Sequence, residues 1–331
     1  MPASSTEPPR MLRDIDSGPA AWRSDGLVSD AGRVSVDSAS RDELLKTAAS
    51  LDANPLPTVS LRPEDFEMSA CRAMMARVRD TLENGVGFAV VDRLPIDDVS
   101  AETATKLYWL LTNMLGQIVA QKWDGTMVYD VRDTGQKRTP GSGVRSSITN
   151  EGQSYHTDNA FGLPPDYVAL FCLQPAREGG VNGVVSFPAA HNRMLKRHPD
   201  LLPRLYEPFL FDRQHEHAPD DPDLVSRSPV FRYDGERLHT QFADMLIHAG
   251  YKVAGEDIDA RGRAALAAFA AVVEEPGARH DFVFEPGQVQ IVDNRRLGHR
   301  RTAYTDWPEP ERRRHLVRLW VRNSGRPFYM G

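Results

Sequence analysis

Two side chains that can bind a metal, His156 and Asp158, lie two residues apart in the segment SYHTDNAFG. In an extended chain such residues project to the same side, so an imidazole nitrogen and a carboxylate oxygen can converge on one ion. The candidate for a third ligand is His299, which follows an apolar segment in GQVQIVDNRRLGHRRTAY. Two histidines and one carboxylate form the facial triad of non-haem iron(II) sites, which keep other coordination positions open. The sequence therefore predicts an iron(II) site.

A pair of arginines follows His299 in the segment ERRRHLVRLWV. Arg314 and Arg318 are four residues apart and share one face of a strand, whereas Arg313 is out of phase and is expected to face solvent. A planar guanidinium can make two parallel charge-assisted hydrogen bonds with a carboxylate. This pattern predicts a strand that binds an organic anion, such as a dicarboxylate, near the metal.

The remaining histidines are expected to be ordinary polar residues; they are His191, His198, His239, His248, His280 and His315. His215 and His217 form a second His-x-His pair that could bind a metal. Because acids and prolines surround this pair in DRQHEHAPDDPD, a solvated loop is the favoured interpretation. Cys172 lies inside an apolar segment, which predicts a core residue and not a nucleophile.

The composition restricts the class of protein. The chain has 331 residues, 40% hydrophobic and 26% charged, with a net charge of -6, which predicts no bulk attraction to nucleic acid or anionic membranes. Two cysteines about a hundred residues apart argue against a disulfide framework and favour a reducing compartment. The first residues carry acids and prolines where a signal peptide would need an apolar run, and no segment approaches about 18 consecutive apolar residues, so neither a signal peptide nor a membrane span is expected. We therefore expect a cytoplasmic protein that binds neither nucleic acid nor membrane.

The elements that must position these residues differ along the chain. Helical spacing of apolar residues occurs over 42–51 and 63–84, and in VSAETATKLYWLLTNMLG with Ser100 as N-cap and Gly116 at its end. The segment GVGFAVVDRLP predicts a strand. The rest predicts one helix, IDARGRAALAAFAAVVEE, among short strands: DYVALFCLQP, GVVSFPA, SPVFRY, DFVFEPGQVQIVDN and HLVRLWVRN. We predict an α+β fold with a two-sheet jelly-roll core flanked by helices.

The predicted domain organisation is a flexible leader over residues 1–20 and a single domain over 21–331. A helix-rich part is expected over about 21–120 and the jelly-roll core over about 121–331. Residues 132–150, rich in Gly, Pro, Ser and charge, predict a long exposed loop. We expect this loop to be poorly ordered without substrate and to close over the site when substrate binds.

The ordered set of motifs resembles the Fe(II)- and 2-oxoglutarate-dependent oxygenases of the taurine dioxygenase and clavaminate synthase-like (TauD/TfdA) superfamily. The resemblance extends to HTDNAFGLPPDYVALFCLQPAREGG, QIVDNRRLGHRRTAY, RRRHLVRLWVRNSGRPFYMG, GPAAW and GFAVVDRLP, and spans about residues 18–331. It implies a double-stranded β-helix with Fe(II) on the three predicted ligands. It further implies 2-oxoglutarate as co-substrate and O2 as oxidant.

The resemblance also implies roles for other residues. Arg314 would bind the distal carboxylate of 2-oxoglutarate, while Arg318 would support that contact or bind an anionic group of the substrate. The threonine that usually helps to bind 2-oxoglutarate has no counterpart in GGVNGVVSF, where Asn182 and Ser186 are candidate replacements. Asn159, beside the predicted carboxylate ligand, is a candidate for substrate binding.

The implied reaction oxidises an unactivated C–H bond of a small polar molecule, such as an amino acid or a natural-product intermediate, and releases succinate and CO2. Hydroxylation is the expected outcome, with desaturation or cyclisation as alternatives. Two alternative functions are a catabolic oxygenase of sulfonates or aryloxy-acids and a metal-binding or sensing jelly-roll protein without turnover. A metal-dependent hydrolase is disfavoured because no extra carboxylate accompanies the triad. The substrate, the oxidised carbon and the oligomeric state stay open.

Overall fold

The computed structural model describes residues 10–137 and 144–330. Its α-helices are α1 Ser38–Ala53, α2 Ser69–Glu83, α3 Ala101–Asn113, α4 Phe187–Arg197, α5 Asp244–Ala254 and α6 Ala260–Val273. Its strands are β1 Arg33–Ser35, β2 Phe88–Asp92, β3 Gln117–Val119, β4 Tyr129–Val131, β5 Gln153–His156, β6 Tyr167–Gln174, β7 Glu178–Gly179, β8 Asn182–Ser186, β9 Phe209–Asp212, β10 Val225–Ser228, β11 Phe231–Tyr233, β12 Leu238–Thr240, β13 Arg279–Phe282, β14 Val289–Asp293, β15 Leu297–Arg301, β16 Tyr304–Thr305 and β17 His315–Arg322. None of the described helices is long and apolar enough to cross a membrane.

Two sheets carry most of the strands. The larger sheet has seven strands in the order β1-β2-β14-β6-β17-β3, with β4 also paired to β17. The smaller sheet has four strands in the order β13-β8-β15-β5. Strands β1 and β2 pair in parallel, whereas the other neighbours within these two sheets are antiparallel. The predicted mixture of helices and sheets is confirmed.

The N-terminal helices cover one face of the seven-stranded sheet. The apolar residues of α2 recur at helical spacing and are buried: Cys71, Met74, Met75, Val78 and Leu82. They join one hydrophobic cluster with side chains of α1, α3 and the central strands, including Phe171 of β6 and Leu319 of β17. Because helices cover this face while the opposite face packs against other core side chains, β6 and β17 are buried along nearly their whole length.

A second hydrophobic cluster joins α4, α5 and α6 to the sheets. Its centre is Phe269 of α6, which is fully buried. The ring centroid of Phe269 lies 4.9 Å from that of Phe242, 5.2 Å from that of Phe231 and 5.6 Å from that of Phe187. Offset and edge-to-face ring contacts of this kind add to the free energy gained from burying apolar area.

We expect Phe269→Ala to lower the free energy of unfolding by about 3–5 kcal/mol, because it removes a buried ring and leaves a cavity between three other rings. Urea denaturation followed by circular dichroism measures the change. Phe328→Ala is the matched control, since that ring is 62% exposed, and its effect should stay within about 0.5 kcal/mol. Equal losses in both variants would contradict the proposed centre of this cluster.

The number of helices in the C-terminal part of the chain was predicted wrongly. Residues 121–331 hold α4 and α5 in addition to the predicted α6, so the expectation of one helix is wrong. The segment GVVSFPA is a strand only as far as Ser186, whose hydroxyl accepts a hydrogen bond from the Ala189 N–H (3.0 Å) and caps α4. Helix α5 ends in the left-handed conformation at Gly255 (φ 68°), which is a common way for a helix to end.

The predicted helix over 63–84 begins later, at Ser69, and residues 63–65 form a short 3₁₀ turn. Helix α2 begins at this point because a side chain of α1 caps it. The Glu43 carboxylate of α1 accepts hydrogen bonds from the backbone N–H groups of Ala70 and Cys71, both at 2.9 Å. These N–H groups belong to the first turn of a helix and would otherwise lack a partner.

The predicted flexible leader falls partly outside the described residues, which begin at Arg10. The Leu12 N–H donates to the Tyr206 hydroxyl (3.2 Å). Asp16 and Asn192 of α4 exchange two hydrogen bonds, Asp16 N–H to Asn192 Oδ1 (2.9 Å) and Asn192 Nδ2 to the Asp16 carbonyl (2.7 Å). Residues 10–20 therefore lie against the body of the protein.

Candidate metal centre

The three predicted metal ligands come together on two neighbouring strands. Strands β5 and β15 are antiparallel, and their register places His156 directly opposite His299. The two imidazole centroids are 4.4 Å apart. Asp158 follows the end of β5 and is held by Asn294, which accepts from the Asp158 N–H (2.7 Å) and donates to the Asp158 carbonyl (3.1 Å). Sheet register and one buried asparagine therefore position the triad.

The distances between the ligand atoms suit a single ion. Asp158 Oδ1 lies 3.5 Å from His156 Nε2 and 3.5 Å from His299 Nε2. All three ligand atoms lie within 4.8 Å of one another, and no other group of three or more His, Cys, Asp or Glu side chains in the described part of the chain does so. Atoms about 2 Å from one ion, at right angles, are roughly 3 Å apart. The donor set matches the two-histidine, one-carboxylate sites of iron(II) enzymes.

Contacts of the two imidazole rings determine which nitrogen can face a metal. His156 Nδ1 donates to the carbonyl of Ser154 at 2.8 Å, which fixes the tautomer and leaves Nε2 free for a metal. His299 Nδ1 is buried and has no hydrogen-bond partner among the described residues. Burial and the neighbouring His156 lower the pKa of His299, which favours the neutral, metal-binding form.

Two residues of the larger sheet hold the second oxygen of the Asp158 carboxylate in place. Oδ2 accepts a hydrogen bond from Trp320 Nε1 (2.7 Å) and lies 3.0 Å from Arg318 Nη1. Burial would raise the pKa of Asp158, but the Arg318 guanidinium, followed by the two histidines, holds that pKa well below its ordinary value. Asp158 is thus an ionised carboxylate with Oδ1 directed at the histidines.

Arg318 was expected to support the contact of Arg314 with 2-oxoglutarate or to bind an anionic group of the substrate, and in the structure it pairs with Asp158. Its Nε also donates to Gln121 Oε1 at 2.8 Å. Gln121 Nε2 in turn donates to the carbonyls of Arg318 and Met127, both at 2.7 Å. These contacts hold the guanidinium against the ligand carboxylate, a supporting role that metal sites commonly require. Gln121, Asn294 and Trp320 were not predicted from the sequence.

We expect Arg318→Ala to lower the free energy of unfolding of the metal-free protein by about 3–5 kcal/mol, because it leaves the buried Asp158 carboxylate without its cation. Urea denaturation in the presence of a chelator measures this loss. Arg313→Ala, which changes an exposed neighbour on the same segment, is the control and should have little effect. A loss no larger than that of the control would mean that Arg318 does not stabilise the ionised carboxylate.

A cavity of about 380 Å³ lies beside the triad, between the two sheets, and Arg314 lines it together with His156 and His299. Arg314 is only 3% exposed, and its Nη1 has no hydrogen-bond partner among the described residues. Burial lowers the pKa of this guanidinium. A buried cation with an unsatisfied N–H is costly unless an anion binds there. This cavity is therefore suited to an organic anion that reaches the triad.

The two residues of β8 that were predicted to help bind 2-oxoglutarate, Asn182 and Ser186, lie in different surroundings. Asn182 is buried, lines the cavity beside the triad, and pairs with Arg301 in the strand register. Ser186 lies at the other end of the strand, opposite Leu297. Its hydroxyl donates to the carbonyl of Ala20 (2.5 Å) while it caps α4. Ser186 is therefore not brought to the site, because capping and packing use its hydroxyl.

A larger cleft of about 670 Å³ opens on the other side of Arg318. Asn159 lines it, but its side chain already accepts from the Tyr329 hydroxyl (3.3 Å) and donates to the Leu163 carbonyl (2.8 Å). Arg145 and Asp244 also line the cleft, although neither was predicted from the sequence to be a site residue. Arg145 lies in the predicted loop, of which residues 138–143 fall outside the described residues.

Comparison with known proteins identifies the family. The model of the Taurine catabolism dioxygenase TauD, TfdA family matches residues 53–320. The chain belongs to this family. The resemblance inferred from the sequence is thereby confirmed, and so is the expectation of a dioxygenase.

Two relatives resemble the chain over most of its length. "FR-33289 synthase" of Streptomyces rubellomurinus is 28% identical over 324 residues, which cover 96% of this chain and 94% of the relative. A "Uridine-5'-phosphate dioxygenase" of a Streptomyces species is 28% identical over 257 residues, covering 74% of this chain and 89% of the relative.

Solved structures show the same fold. An asparagine oxygenase in complex with Fe(II), 3-hydroxyasparagine and succinate is similar with a TM-score of 0.64 and 20% identity, covering 88% of this chain and 94% of the other. The non-heme iron oxygenase OrfP, in complex with Fe and alpha-ketoglutaric acid, has a TM-score of 0.63 and 16% identity over the same shares of the two chains. At these identities the likeness concerns the fold alone.

Proposed function

We propose that this protein is an Fe(II)- and 2-oxoglutarate-dependent dioxygenase that hydroxylates a small polar molecule and releases succinate and CO2. The observation that carries the proposal is the facial triad beside a buried guanidinium with an unsatisfied N–H. His156, Asp158 and His299 would hold the iron, which supplies oxygen activation when bound. Arg314 would bind the distal carboxylate of 2-oxoglutarate, and Asn182 would line the same cavity.

The other residues of the site would orient and shield these groups. Arg318 and Trp320 fix the free oxygen of Asp158, so the carboxylate cannot rotate away from the metal. Arg314 is 3% exposed, so the end of the co-substrate that it would bind would be shielded from water. A metal store has no use for a buried guanidinium such as Arg314, which disfavours a protein without turnover.

We further infer that the two sheets form a double-stranded β-helix and that residues 21–331 form one domain. Asp158, which follows β5 of the smaller sheet, contacts Arg318 and Trp320 of β17 in the larger one. The sheets therefore face each other at the triad, as they do in a jelly roll.

Cys71 and Cys172 are free and buried, which supports a reducing compartment such as the cytoplasm.

The larger cleft supports a substrate that is small and polar. Its lining includes Arg145, which pairs with Glu216 at 2.6 Å, and Asp244, whose pKa is raised by burial. Phe161 and Trp320 add apolar surface. The names of the related proteins refer to asparagine, arginine derivatives and a nucleoside phosphate, all of them small polar molecules.

The test is a succinate-release screen with purified protein, Fe(II), ascorbate and 2-oxoglutarate over amino acids, nucleotides and their phosphorylated analogues. A true substrate is expected to increase succinate release and to yield one product molecule, heavier by one oxygen atom, per succinate. A metal-ligand variant such as His299→Ala serves as the inactive control. If the protein neither binds 2-oxoglutarate nor decarboxylates it in the presence of Fe(II), the proposal is wrong.

A further inference from the structure

A second buried arginine lies beside the predicted co-substrate anchor. Arg301 ends β15, two residues after the metal ligand His299, and is 4% exposed. Its Nη2 donates to three backbone carbonyls of one loop, those of Ser146 (3.3 Å), Thr149 (3.1 Å) and Glu151. Its Nε and Nη1 are buried and have no hydrogen-bond partner among the described residues. One of the three guanidinium nitrogens is therefore satisfied and two are not.

Arg301 and Arg314 are neighbours in the cavity beside the triad. Both residues line that cavity, and both guanidinium carbons lie over the ring of Tyr304, at 4.9 Å and 5.0 Å from its centroid. Burial, and then the positive charge of Arg314, lowers the pKa of Arg301 to about 10, so Arg301 is still protonated at neutral pH. An arginine side chain such as Arg314 keeps its proton in proteins in general.

This arrangement is unfavourable without an anion. Two like charges share a buried space, and neither arginine takes part in an ion pair within 4.0 Å among the residues that the structure describes. Three guanidinium nitrogens, Nε and Nη1 of Arg301 and Nη1 of Arg314, are left without acceptors. A single carboxylate offers two oxygens with several lone pairs and can satisfy donors from both residues at once.

We propose that Arg301 is a second anchor for the distal carboxylate of 2-oxoglutarate and that it links this carboxylate to the loop of Ser146–Glu151. The inference rests on the proposed function, because it needs a dicarboxylate in that cavity. It supplies a hydrogen-bond donor where the chain lacks the threonine of related enzymes. Since Ser146 and Ser147 also line the larger cleft, binding of the co-substrate would hold one wall of the substrate site in place.

The test is calorimetric titration of the Mn(II)-loaded protein with 2-oxoglutarate and, separately, with 2-oxobutyrate, which lacks the distal carboxylate. Arg301→Gln and Arg301→Lys are expected to raise the Kd for 2-oxoglutarate by about 10- to 100-fold, the range for losing a hydrogen bond to a charged group. The Kd for 2-oxobutyrate should not change. Arg313→Gln is the matched control, because its exposed side chain lies outside the cavity.

A second readout tests the link to the loop. In the unaltered protein, 2-oxoglutarate should slow hydrogen exchange of the backbone amides between residues 146 and 151. Arg314→Lys, measured at saturating 2-oxoglutarate, should keep this protection, because Arg301 is still in place. Arg301→Gln and Arg301→Lys should lose it even at saturation.

Three results would overturn the inference. One is an unchanged Kd for 2-oxoglutarate in both Arg301 variants. Another is an equal rise for 2-oxoglutarate and 2-oxobutyrate, which would show that Arg301 only maintains the fold. The third is loop protection that survives without Arg301. If the unaltered protein and the Arg313→Gln control bind no 2-oxoglutarate at all, the proposed function fails as well, and the control distinguishes that case.

Discussion

Replacement of His299 by alanine is expected to abolish iron binding and turnover together. His299 supplies one of three ligand atoms that lie within 4.8 Å of one another, and no fourth candidate ligand among the described residues stands in its place. Loss of a group that merely supports a metal ligand already costs roughly 10- to 100-fold in affinity or activity. Loss of a ligand itself should exceed this range. His156→Ala is expected to behave in the same way.

The measurement is equilibrium dialysis against Fe(II) under nitrogen, followed by metal analysis and a succinate assay on the same samples. His217→Ala is the matched control, since the pair of His215 and His217 is the other short-range metal motif of the chain. That pair is part of no group of three ligands in the described residues, so the control should bind iron normally. Normal iron content in His299→Ala, or its loss in His217→Ala, would show that the metal lies elsewhere.

The metal ligands could be predicted from the sequence because their geometry is mostly local. His156 and Asp158 are related by the two-residue period of an extended chain, and His299 lies on a strand that pairs with β5. The groups that complete the site are related only through the tertiary fold. Trp320 and Gln121 look like ordinary strand and loop residues until β17 and Asp158 come together.

Asn182 and Ser186 show why part of the site could not be predicted from the sequence. They are four residues apart on one strand, so the alternation of side chains gives both the same face. Position along the strand decides which of them meets the cavity, and that depends on the register with β15, where Asn182 pairs with Arg301 and Ser186 with Leu297. Register is set by long-range pairing and by the packing of α4, which Ser186 itself caps.

The partner of Arg318 was missed for a related reason. Arg314 directly precedes β17 and Arg318 lies within it, yet both line the cavity beside the triad, and the expected alternation gives no reason to treat them differently. The contacts distinguish them, because Arg318 already pairs with the buried Asp158 carboxylate whereas Arg314 keeps an unsatisfied Nη1. An anchor for an external anion needs unused donors. Among the two, Arg314 meets that requirement better.

Arg314→Ala is accordingly expected to raise the Kd for 2-oxoglutarate steeply. The guanidinium is buried beside the triad, and removal of one side of a buried, charge-assisted pair costs on the order of 2–5 kcal/mol, or roughly thirty-fold to several-thousand-fold in affinity. Arg314→Lys should restore only part of the affinity, because an ammonium group cannot make two parallel hydrogen bonds with a carboxylate. Iron binding should persist in both variants, since the three ligands are unchanged.

Titration of the Mn(II)-loaded variants with 2-oxoglutarate measures this effect, and the adjacent Arg313→Ala controls for a general loss of charge on the segment. Arg313 is exposed and donates to the carbonyl of Pro308, so its removal should leave the Kd unchanged. The contrast between two neighbouring arginines is informative because Arg314 lines the cavity whereas Arg313 is exposed. If Arg314→Ala binds 2-oxoglutarate as tightly as the unaltered protein, the co-substrate does not use this guanidinium, and Arg301 becomes the principal candidate for the anchor.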